Sequence, residues 1–277
     1  MKTIAVTGGK GGTGKSTVSI LLANKLRNKG ERGVLVDCDV ECPNDYLLLG
    51  QKLTKPKKKV FARFPKLDEG RCIKCGLCAG NCRSNAIFQA PGQYPQFLHE
   101  LCSGCGLCWH LCPQKAIKVQ KKTTGEIFEN KVDNNLYLIT GRSVGVVDET
   151  GPIVSKVRDY AEKMAREVKA DYLLLDTAVG MHCGVIRALL DADLAYAVTE
   201  PTPLGAHDLK LILRLLKTLE VRSKIVLNQA DLGEKELIEE IAQENGVKIE
   251  IKIPYSKKLV SSYSQGRLQE LNILENR

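Results

Sequence analysis

Eight of the eleven cysteines lie in two runs that share one spacing, C-x2-C-x2-C-x3-C. Thiolates at this spacing are ligands of [4Fe–4S] clusters. Zinc sites usually use C-x2-C pairs separated by a longer loop, so zinc is an alternative that the spacing disfavours. The first run is Cys72, Cys75, Cys78 and Cys82, and the second is Cys102, Cys105, Cys108 and Cys112.

The two runs resemble those of the two-cluster bacterial ferredoxins, and their flanks, RCIKCGLCAGNCRSNAI and LCSGCGLCWHLCPQKAI, align as an internal repeat. In that family three cysteines of one run and the last cysteine of the other hold each cluster. Arg83 stands where the family has a proline, whereas Pro113 follows its cysteine as expected. We therefore expect the two clusters to differ in reduction potential. The implied ligands are Cys72, Cys75, Cys78 and Cys112 for cluster 1, and Cys102, Cys105, Cys108 and Cys82 for cluster 2.

A glycine-rich loop near the start of the chain has the types and order of residues that bind phosphate. Residues 9–16, GKGGTGKS, match G-x4-G-K-[ST] between a predicted strand and a predicted helix. Backbone N–H groups turn towards the phosphates, Lys15 reaches the β and γ oxygens, and the Ser16 hydroxyl can bind Mg²⁺. The alternative is a glycine turn without a ligand. The predicted nucleotide-binding residues here are Gly9, Gly11, Gly12, Thr13, Gly14, Lys15, Ser16 and Thr17.

GGKGGTGKST resembles the deviant phosphate loop of the MinD, ParA and nitrogenase iron protein family, which has an early lysine at the position of Lys10. The resemblance implies an ATP-sandwich dimer in which this lysine reaches the partner's nucleotide. A second cation over the phosphates also stabilises charge that develops during transfer. We expect a homodimer, or a heterodimer with a related ATPase; a solvent-facing lysine is the alternative.

Two further motifs resemble the same family. VDCDVECPND (36–45) is similar to its first switch, which implies that Asp37 lies near the metal and that Asp39 orients the attacking water. DTAVG (176–180) is similar to its second carboxylate motif, in which Asp176 binds Mg²⁺ through water, although Ala178 replaces a common proline. Turn or helix capping is the alternative for all three aspartates. Asn228 and the IPYS segment (253–256) match the family's adenine side.

Three cysteines lie outside the two runs. A free cysteine is most often a small buried hydrophobic residue, which is the interpretation we prefer for Cys38, and Cys42 receives no assignment. Cys183 follows Asp176 at an interval that resembles the nitrogenase iron protein, where a cysteine so placed helps to hold a cluster between subunits. The other ligand of that protein has no counterpart here. A Cys183 from each subunit binding a metal or cluster transiently is therefore a hypothesis beside a structural thiol.

Strands that alternate with helices predict an α/β fold, a mostly parallel doubly wound P-loop sheet covered on both faces. An α+β ferredoxin-like domain is predicted as an insert at 60–123, which divides the ATPase domain into 1–59 and 124–277. LTKPKKK (53–59) and KKTTG (121–125) are predicted as the linkers between them.

Composition and charge limit the possible partners. No apolar run is long enough to span a bilayer, and the first residues are too short for a signal peptide, so we expect a cytoplasmic protein. Fourteen Lys and Arg against three acids lie between Lys52 and Lys122, although the whole chain carries only +9. A basic patch attracts an acidic partner, here a redox or metallocluster-receiving protein; a solvated surface is the alternative. The sequence shows neither a base-stacking platform nor a membrane-binding helix, which disfavours nucleic acid and membrane partners.

The whole chain resembles MinD-superfamily ATPases that contain an inserted ferredoxin domain. The resemblance implies Mg²⁺-dependent ATP hydrolysis and two [4Fe–4S] clusters in an ATP-dependent metallocluster assembly or carrier factor. One alternative is an ATP-gated electron donor resembling the nitrogenase iron protein. A spatial regulator like MinD or ParA is disfavoured, because the tail SQGRLQELNILENR predicts a short helix without a basic amphipathic face.

Overall fold

The computed structural model describes residues 1–145 and 149–274, and the chain forms two compact units. Unit 1 contains Met1–Lys58, Ile127–Arg142 and Gly151–Arg277, and unit 2 contains Lys59–Glu126 and Ser143–Thr150.

The strands and helices are numbered along the chain. The strands are β1 Lys2–Thr7, β2 Gly33–Asp37, β3 Lys58–Leu67, β4 Ile87–Phe88, β5 Gln96–Phe97, β6 Ile117–Lys131, β7 Leu136–Ser143, β8 Tyr172–Asp176, β9 Leu194–Thr199, β10 Ser223–Asn228 and β11 Ile249–Ile253. The helices are α1 Lys15–Asn28, α2 Asp45–Leu48, α3 Leu77–Gly80, α4 Leu107–Leu111, α5 Gly151–Glu167, α6 Cys183–Leu189, α7 Pro203–Thr218, α8 Lys235–Asn245 and α9 Lys257–Ser264.

A parallel sheet forms the centre of unit 1. Its strand order is β11-β10-β9-β1-β8-β2-β7, and each neighbouring pair is parallel. The sequences GVLVD of β2 and YLLLD of β8 are buried at every residue, as expected for strands covered on both faces. The predicted α/β fold with a mostly parallel sheet is confirmed.

Helices cover this sheet. Residues 17–24 of α1 are all buried, and Val18, Leu21 and Leu22 belong to the main core cluster together with Ile4 and Val6 of β1. Helix α5 packs on β2 and β8, and α7 packs on β9. Between residues 1–145 and 149–274, no helix combines the length and the apolar character needed to cross a membrane.

The C-terminal segment is part of the core of unit 1. Leu268, Leu271 and Leu274 are at most 3% exposed, and the Asn24 side chain of α1 donates to the carbonyls of Leu268 and Leu271 at 2.8 and 3.0 Å. The predicted tail helix is a single 3-10 turn, Leu268–Glu270, because these contacts satisfy carbonyls that a longer helix would use. Residues 275–277 of that prediction lie outside the described residues.

The two segments predicted as linkers differ in secondary structure. The KKTTG segment predicted as a linker lies inside β6, so it is a strand and not a loop, although the chain passes from unit 2 to unit 1 directly after it, at Glu126 and Ile127. Thr124 is buried in the strand, and β-branched residues such as threonine favour strands. The end of the LTKPKKK segment forms the first residues of β3.

Unit 2 repeats one backbone conformation at a period of thirty residues. A left-handed residue occurs at matched positions in both halves: Lys74 and Gly104, Gly76 and Gly106, and Asn85 and Lys115. Gly76 and Gly106 directly precede α3 and α4, and these two short helices pack together. The internal repeat of the sequence is therefore also a structural repeat.

Candidate nucleotide and cysteine sites

The glycine loop connects β1 to α1 in unit 1. Gly12 and Gly14 have φ of +82° and +93°, a left-handed conformation that favours glycine. A Cβ atom at Gly14 would lie 2.5 Å from Nδ2 of Asn228, which donates to the Thr13 carbonyl at 3.0 Å. The loop and the end of β10 are therefore fitted to each other, and a larger residue at Gly14 would separate them.

A cavity of about 390 Å³ opens beside this loop. Its walls come from the loop, the start of α1, the end of β10 and the segment after β11. Of the predicted nucleotide residues, Gly11, Gly12, Gly14, Lys15, Ser16, Thr17 and Asn228 line it, together with Asp39, Pro254, Tyr255 and Ser256. Lys10, Asp37 and Asp176 do not line the cavity, nor do two other predicted residues: Gly9, which packs against Asp208, and Thr13, which is buried.

Lys15 is buried at the first position of α1. Its Nζ donates to the Lys10 carbonyl at 3.1 Å. Burial lowers its pKa, and the negative charges of Asp176 and Asp39 act in the opposite direction. The ammonium group is thus held close to the loop. Because burial has already removed most of its water, binding a phosphate there would cost little further dehydration of the ammonium group.

Asp37 and Asp176 lie side by side where two parallel strands end. They are partners in the register of β2 and β8, so they leave the same edge of the sheet. Ser16 Oγ donates to Asp176 at 2.7 Å, and Ser19 Oγ donates to the other oxygen at 2.8 Å. Sequence reasoning missed Ser19, although its position one helical turn after Ser16 is a signal that the two share a face.

Backbone groups hold Asp37 and Asp39. The Asp37 carboxylate accepts N–H bonds from Asp39, Asn44 and Asp45 at 2.9 to 3.1 Å. Asp39 accepts one from the Cys42 N–H at 3.3 Å and lines the cavity. The two switch aspartates therefore have different surroundings, with Asp37 buried behind the loop and Asp39 beside the space for the nucleotide.

A third buried carboxylate, Asp45 of α2, joins Asp37 and Asp176. One ligand atom from each residue lies within 4.8 Å of the others. Burial is the main cause that raises the pKa of all three carboxyl groups, and that of Asp176 is raised to about 6. Sequence reasoning missed Asp45, because an Asp at the start of a helix ordinarily caps that helix.

The early lysine of the loop is paired within its own chain. Lys10 Nζ lies 2.7 Å from Oε1 of Glu200, which directly follows β9, and the Thr202 hydroxyl donates to the same oxygen at 3.3 Å. The side chains of Lys10 and Glu200 are 34% and 14% exposed. Sequence reasoning missed Glu200. No motif in this sequence marks it, and only the neighbouring positions of β1 and β9 bring it to the loop.

The eight cysteines of unit 2 fall into two groups, each lining its own pocket. The groups cross the sequence repeat: the last cysteine of each run lies with the first three of the other. The last cysteine also accepts a backbone N–H bond: Cys82 Sγ from Ala86 at 3.3 Å, and Cys112 Sγ from Ala116 at 3.2 Å. Group 1 is Cys72, Cys75, Cys78 and Cys112, and group 2 is Cys82, Cys102, Cys105 and Cys108.

Partial burial changes the pKa of three of these thiols. It raises the pKa of Cys78 and Cys102, and that of Cys108 to about 11. Such thiols are neutral at pH 7 unless a metal ion displaces the proton. Four sulfur atoms around one apolar pocket, with backbone N–H donors to sulfur, fit a thiolate-ligated iron–sulfur cluster.

The remaining cysteines of the chain lie in unit 1 and differ in exposure. Cys38 is buried, whereas Cys42 and Cys183 are exposed. Cys183 is the first residue of α6, and His182 caps that helix by accepting the Gly184 N–H at 3.2 Å.

The parallel sheet, the glycine loop and the carboxylates at the strand ends define a P-loop nucleotide-binding protein. The chain belongs to the CobQ/CobB/MinD/ParA nucleotide binding domain family, which matches residues 4–269.

Individual relatives agree with that family. An uncharacterized protein of Methanocaldococcus jannaschii is 36% identical over 267 residues, which are 96% of this chain and 90% of the relative. The iron-sulfur cluster carrier protein of the same organism is 31% identical over 106 residues, 36% of this chain and 37% of that protein. Among solved structures, the cell division ATPase MinD of Pyrococcus furiosus is similar to this chain with a TM-score of 0.57 at 20% sequence identity. The match covers 97% of this chain and 89% of the MinD chain, which shows a shared fold.

Proposed function

We propose that this protein is an ATP-hydrolysing iron–sulfur protein that delivers metal–sulfur clusters to a partner protein. The observation that carries the proposal is the presence of two crossed groups of four cysteines in the same chain as a P-loop nucleotide site.

The nucleotide site supplies the parts that phosphoryl transfer needs. Lys15 and the loop N–H groups would bind the phosphates, and Asn228, which also lines the cavity, would meet the base. Ser16 and the carboxylates of Asp37 and Asp176 would hold Mg²⁺, which neutralises phosphate charge. Asp39 borders the cavity and would orient an attacking water.

Lys10 is the residue on which the proposed dimer depends. In the isolated chain it is paired with Glu200, so it can act on a nucleotide only after this pair separates. The resemblance to deviant phosphate loops favours a dimer in which each Lys10 reaches the partner's phosphates. ATP would then stabilise the dimer, since it contributes contacts to both chains.

Unit 2 would hold two resident [4Fe–4S] clusters, and such clusters store and release single electrons when bound. Cys72, Cys75, Cys78 and Cys112 would ligate one, and Cys82, Cys102, Cys105 and Cys108 the other. The Ala86 and Ala116 N–H groups donate to one sulfur of each group, and hydrogen bonds to ligand sulfur are a means by which a protein tunes reduction potential. The basic residues of this unit favour an acidic partner.

Cys183 supports cluster delivery as the role of the ATPase. Its thiol is exposed and belongs to neither group of four, so a cargo cluster can bind there without displacing a resident one. The likeness over part of the chain to an iron-sulfur cluster carrier protein agrees with this role.

The test is reconstitution of the anaerobic protein with ⁵⁷Fe and sulfide until the two groups of four are filled. Delivery predicts additional iron that binds with ATP, moves to an apo-acceptor, and is lost in Cys183→Ala. Cys42→Ala, which changes another exposed cysteine, is the matched control and should retain the additional iron.

A second candidate is an ATP-gated electron donor. It is favoured by the exposure of Cys75 and Cys105, one in each group of four, which would bring both clusters near the surface of unit 2. ATP-dependent reduction of an acidic acceptor, with no additional iron and no effect of Cys183→Ala, would support this candidate and contradict delivery.

A further inference from the structure

The two cysteine pockets of unit 2 differ in the residue that follows the third cysteine of each run. In the second run this residue is Trp109, which lines the pocket of group 2 together with Gly106 and Cys108. The corresponding residue of the first run is Ala79, which does not line the pocket of group 1. The repeat therefore places an indole at one pocket and only a methyl group at the matched position beside the other.

The Trp109 indole lies against the cysteine loop of group 2. A Cβ atom at Gly106 would lie 2.7 Å from Cζ2 of Trp109, so glycine is needed to leave room for the ring, and Gly106 is buried. At the matched Gly76 a Cβ atom would meet nothing within 4 Å among the described residues, and Gly76 is partly exposed. The indole thus fills a space that stays open beside group 1.

The backbone of β3 closes a second side of the group 2 loop, since a Cβ atom at Gly104 would lie 3.1 Å from the carbonyl oxygen of Arg63. The group 1 loop is bordered differently. Ile73 and Leu77 line its pocket and are 61% and 46% exposed. Group 1 is therefore bordered by side chains that reach the solvent, and group 2 by an indole and a strand.

Both groups nevertheless have one exposed cysteine, Cys75 in group 1 and Cys105 in group 2. The difference between the pockets begins at the residue after this cysteine, where Gly106 is covered and Gly76 is open. The two pockets thus share their ligands and differ in what shields them.

We propose that the Trp109 indole is a cover over the group 2 pocket, so that group 1 loses its cluster first and group 2 retains its own. The hydrophobic shell around a metal site controls the access of solvent to the metal–ligand bonds, and a chelator needs the same access. The proposal rests on the iron–sulfur part of the proposed function and is independent of ATP hydrolysis and of cluster delivery. It gives the two resident clusters different lifetimes.

Trp109 is the only tryptophan in the chain, so its fluorescence reports the state of group 2. An iron–sulfur cluster absorbs light at the wavelengths of tryptophan emission, and a cluster next to the indole quenches that emission by energy transfer. Emission should therefore stay low while group 2 is filled and rise when its cluster is lost.

The experiment is anaerobic chelation of the reconstituted full chain by excess EDTA, with iron release and tryptophan emission followed together. We expect two phases of about four iron atoms each, with emission unchanged in the first phase and rising in the second. Trp109→Ala should accelerate the slow phase by about tenfold or more, whereas Trp109→Phe, which keeps an aromatic ring, should retain most of the delay. Leu111→Ala is the matched control, because Leu111 is an exposed residue of α4 that lines neither pocket, and it should change neither phase.

Ala79→Trp is the converse test. The space beside Gly76 is open, so an indole at this position should cover the pocket of group 1 and slow the first phase. Cys112→Ala keeps only the cluster of group 2 and should release its remaining iron at the slow rate, which identifies that phase independently of fluorescence.

Emission that rises in the first phase, or release of all the iron at one rate, would overturn the cover. The proposed function stands in either case if the chain holds about eight iron atoms and hydrolyses ATP. Two phases in the expected order, in a protein that transfers no additional iron to an acceptor, mean that the cover stands and delivery fails. If Trp109→Ala does not take up iron, the emission of the wild-type protein decides, and a wild-type chain without any cluster overturns both proposals.

Discussion

The nucleotide site of unit 1 and the cysteine pockets of unit 2 are assembled in different ways. In unit 1, Asp37, Asp176 and Asn228 come from the ends of three strands that are far apart in the sequence. In unit 2, three cysteines of each pocket lie within one short loop and helix, and one residue arrives from the other half of the repeat. The first site depends on the register of a sheet, whereas the second depends mainly on local spacing.

The two regions also differ in how they handle charge. Unit 1 concentrates three buried carboxylates behind the phosphate loop, which favours cations there. In unit 2, partial burial keeps the thiols of Cys78, Cys102 and Cys108 protonated until a metal displaces the proton, and the unit is rich in basic residues. Each site should therefore respond to a different perturbation.

Cys112→Ala should remove the cluster of group 1, although Cys112 belongs to the second cysteine run. Iron content should fall from about eight atoms per chain to about four, because a [4Fe–4S] cluster rarely survives the loss of one of four thiolates. Iron and sulfide analysis of anaerobic protein measures this change, and the nucleotide affinity should remain that of wild type.

Cys38→Ala is the control for this prediction, since Cys38 is buried and lies in unit 1 outside both groups. The iron content of this variant should be unchanged. If Cys112→Ala disrupted the cluster of Cys102, Cys105 and Cys108 and left the other intact, the crossed grouping would be contradicted.

Lys15→Ala should weaken nucleotide binding by about 10- to 100-fold, because a hydrogen bond to a charged group contributes about 1.5–3 kcal/mol. Calorimetric titration with ADP measures the affinity, and Lys25→Ala, a basic residue in the last turn of the same helix, is the control. Iron content should stay at the wild-type value, and a loss of iron would show that the two sites are not independent.

The pH dependence of stability should reveal the buried carboxylates. The pKa of Asp176 is about 6, above the value of about 3.9 of an unfolded chain, so the folded state binds more protons between these values. The free energy of unfolding should therefore fall by up to about 1.4 kcal/mol per pH unit as pH rises from about 4 towards 6. It should stay lower at higher pH.

Urea unfolding in EDTA between about pH 4 and 7.5 measures this slope. Asp176→Asn should reduce the slope, and Mg²⁺ should do the same in wild type by favouring the ionised carboxylates. An Asp176→Asn variant with the wild-type slope would show that the fall has another origin.

Glu200→Gln should have the smallest effect. The Lys10–Glu200 pair is partly exposed, and such pairs contribute about 0–1 kcal/mol, so nucleotide affinity should rise no more than about fivefold when Lys10 is released. The same substitution in a Lys10→Ala background should have no effect on affinity. An equal gain in both backgrounds would mean that Glu200 acts on the nucleotide directly.

Much of the fold follows from patterns that the sequence displays. β2, β8 and β9 are short runs of apolar residues bounded by loops, and the helices between them have periodic apolar residues, so the parallel sheet was predicted. The phosphate loop and the cysteine runs are defined by local spacing. For the same reason the sequence alone identified the loop residues that line the cavity, which are Gly11, Gly12, Gly14, Lys15, Ser16 and Thr17.

Residues that act through tertiary contacts were missed. Asp45 resembles a helix cap, and its backbone N–H bond to Asp37, together with the register of β2 and β8, places it with Asp37 and Asp176. Glu200 carries no motif, and it meets Lys10 because β9 lies beside β1. KKTTG was predicted as a linker on composition, whereas pairing within a sheet decides strand formation more strongly than residue preference.

Mössbauer spectroscopy of anaerobically purified, ⁵⁷Fe-enriched protein tests whether one chain combines a nucleotide site with two cubane clusters. We expect about eight iron atoms per chain, all in [4Fe–4S] form, in a sample that also hydrolyses ATP. Zinc in place of iron, or iron without sulfide in a sample that still hydrolyses ATP, would contradict it.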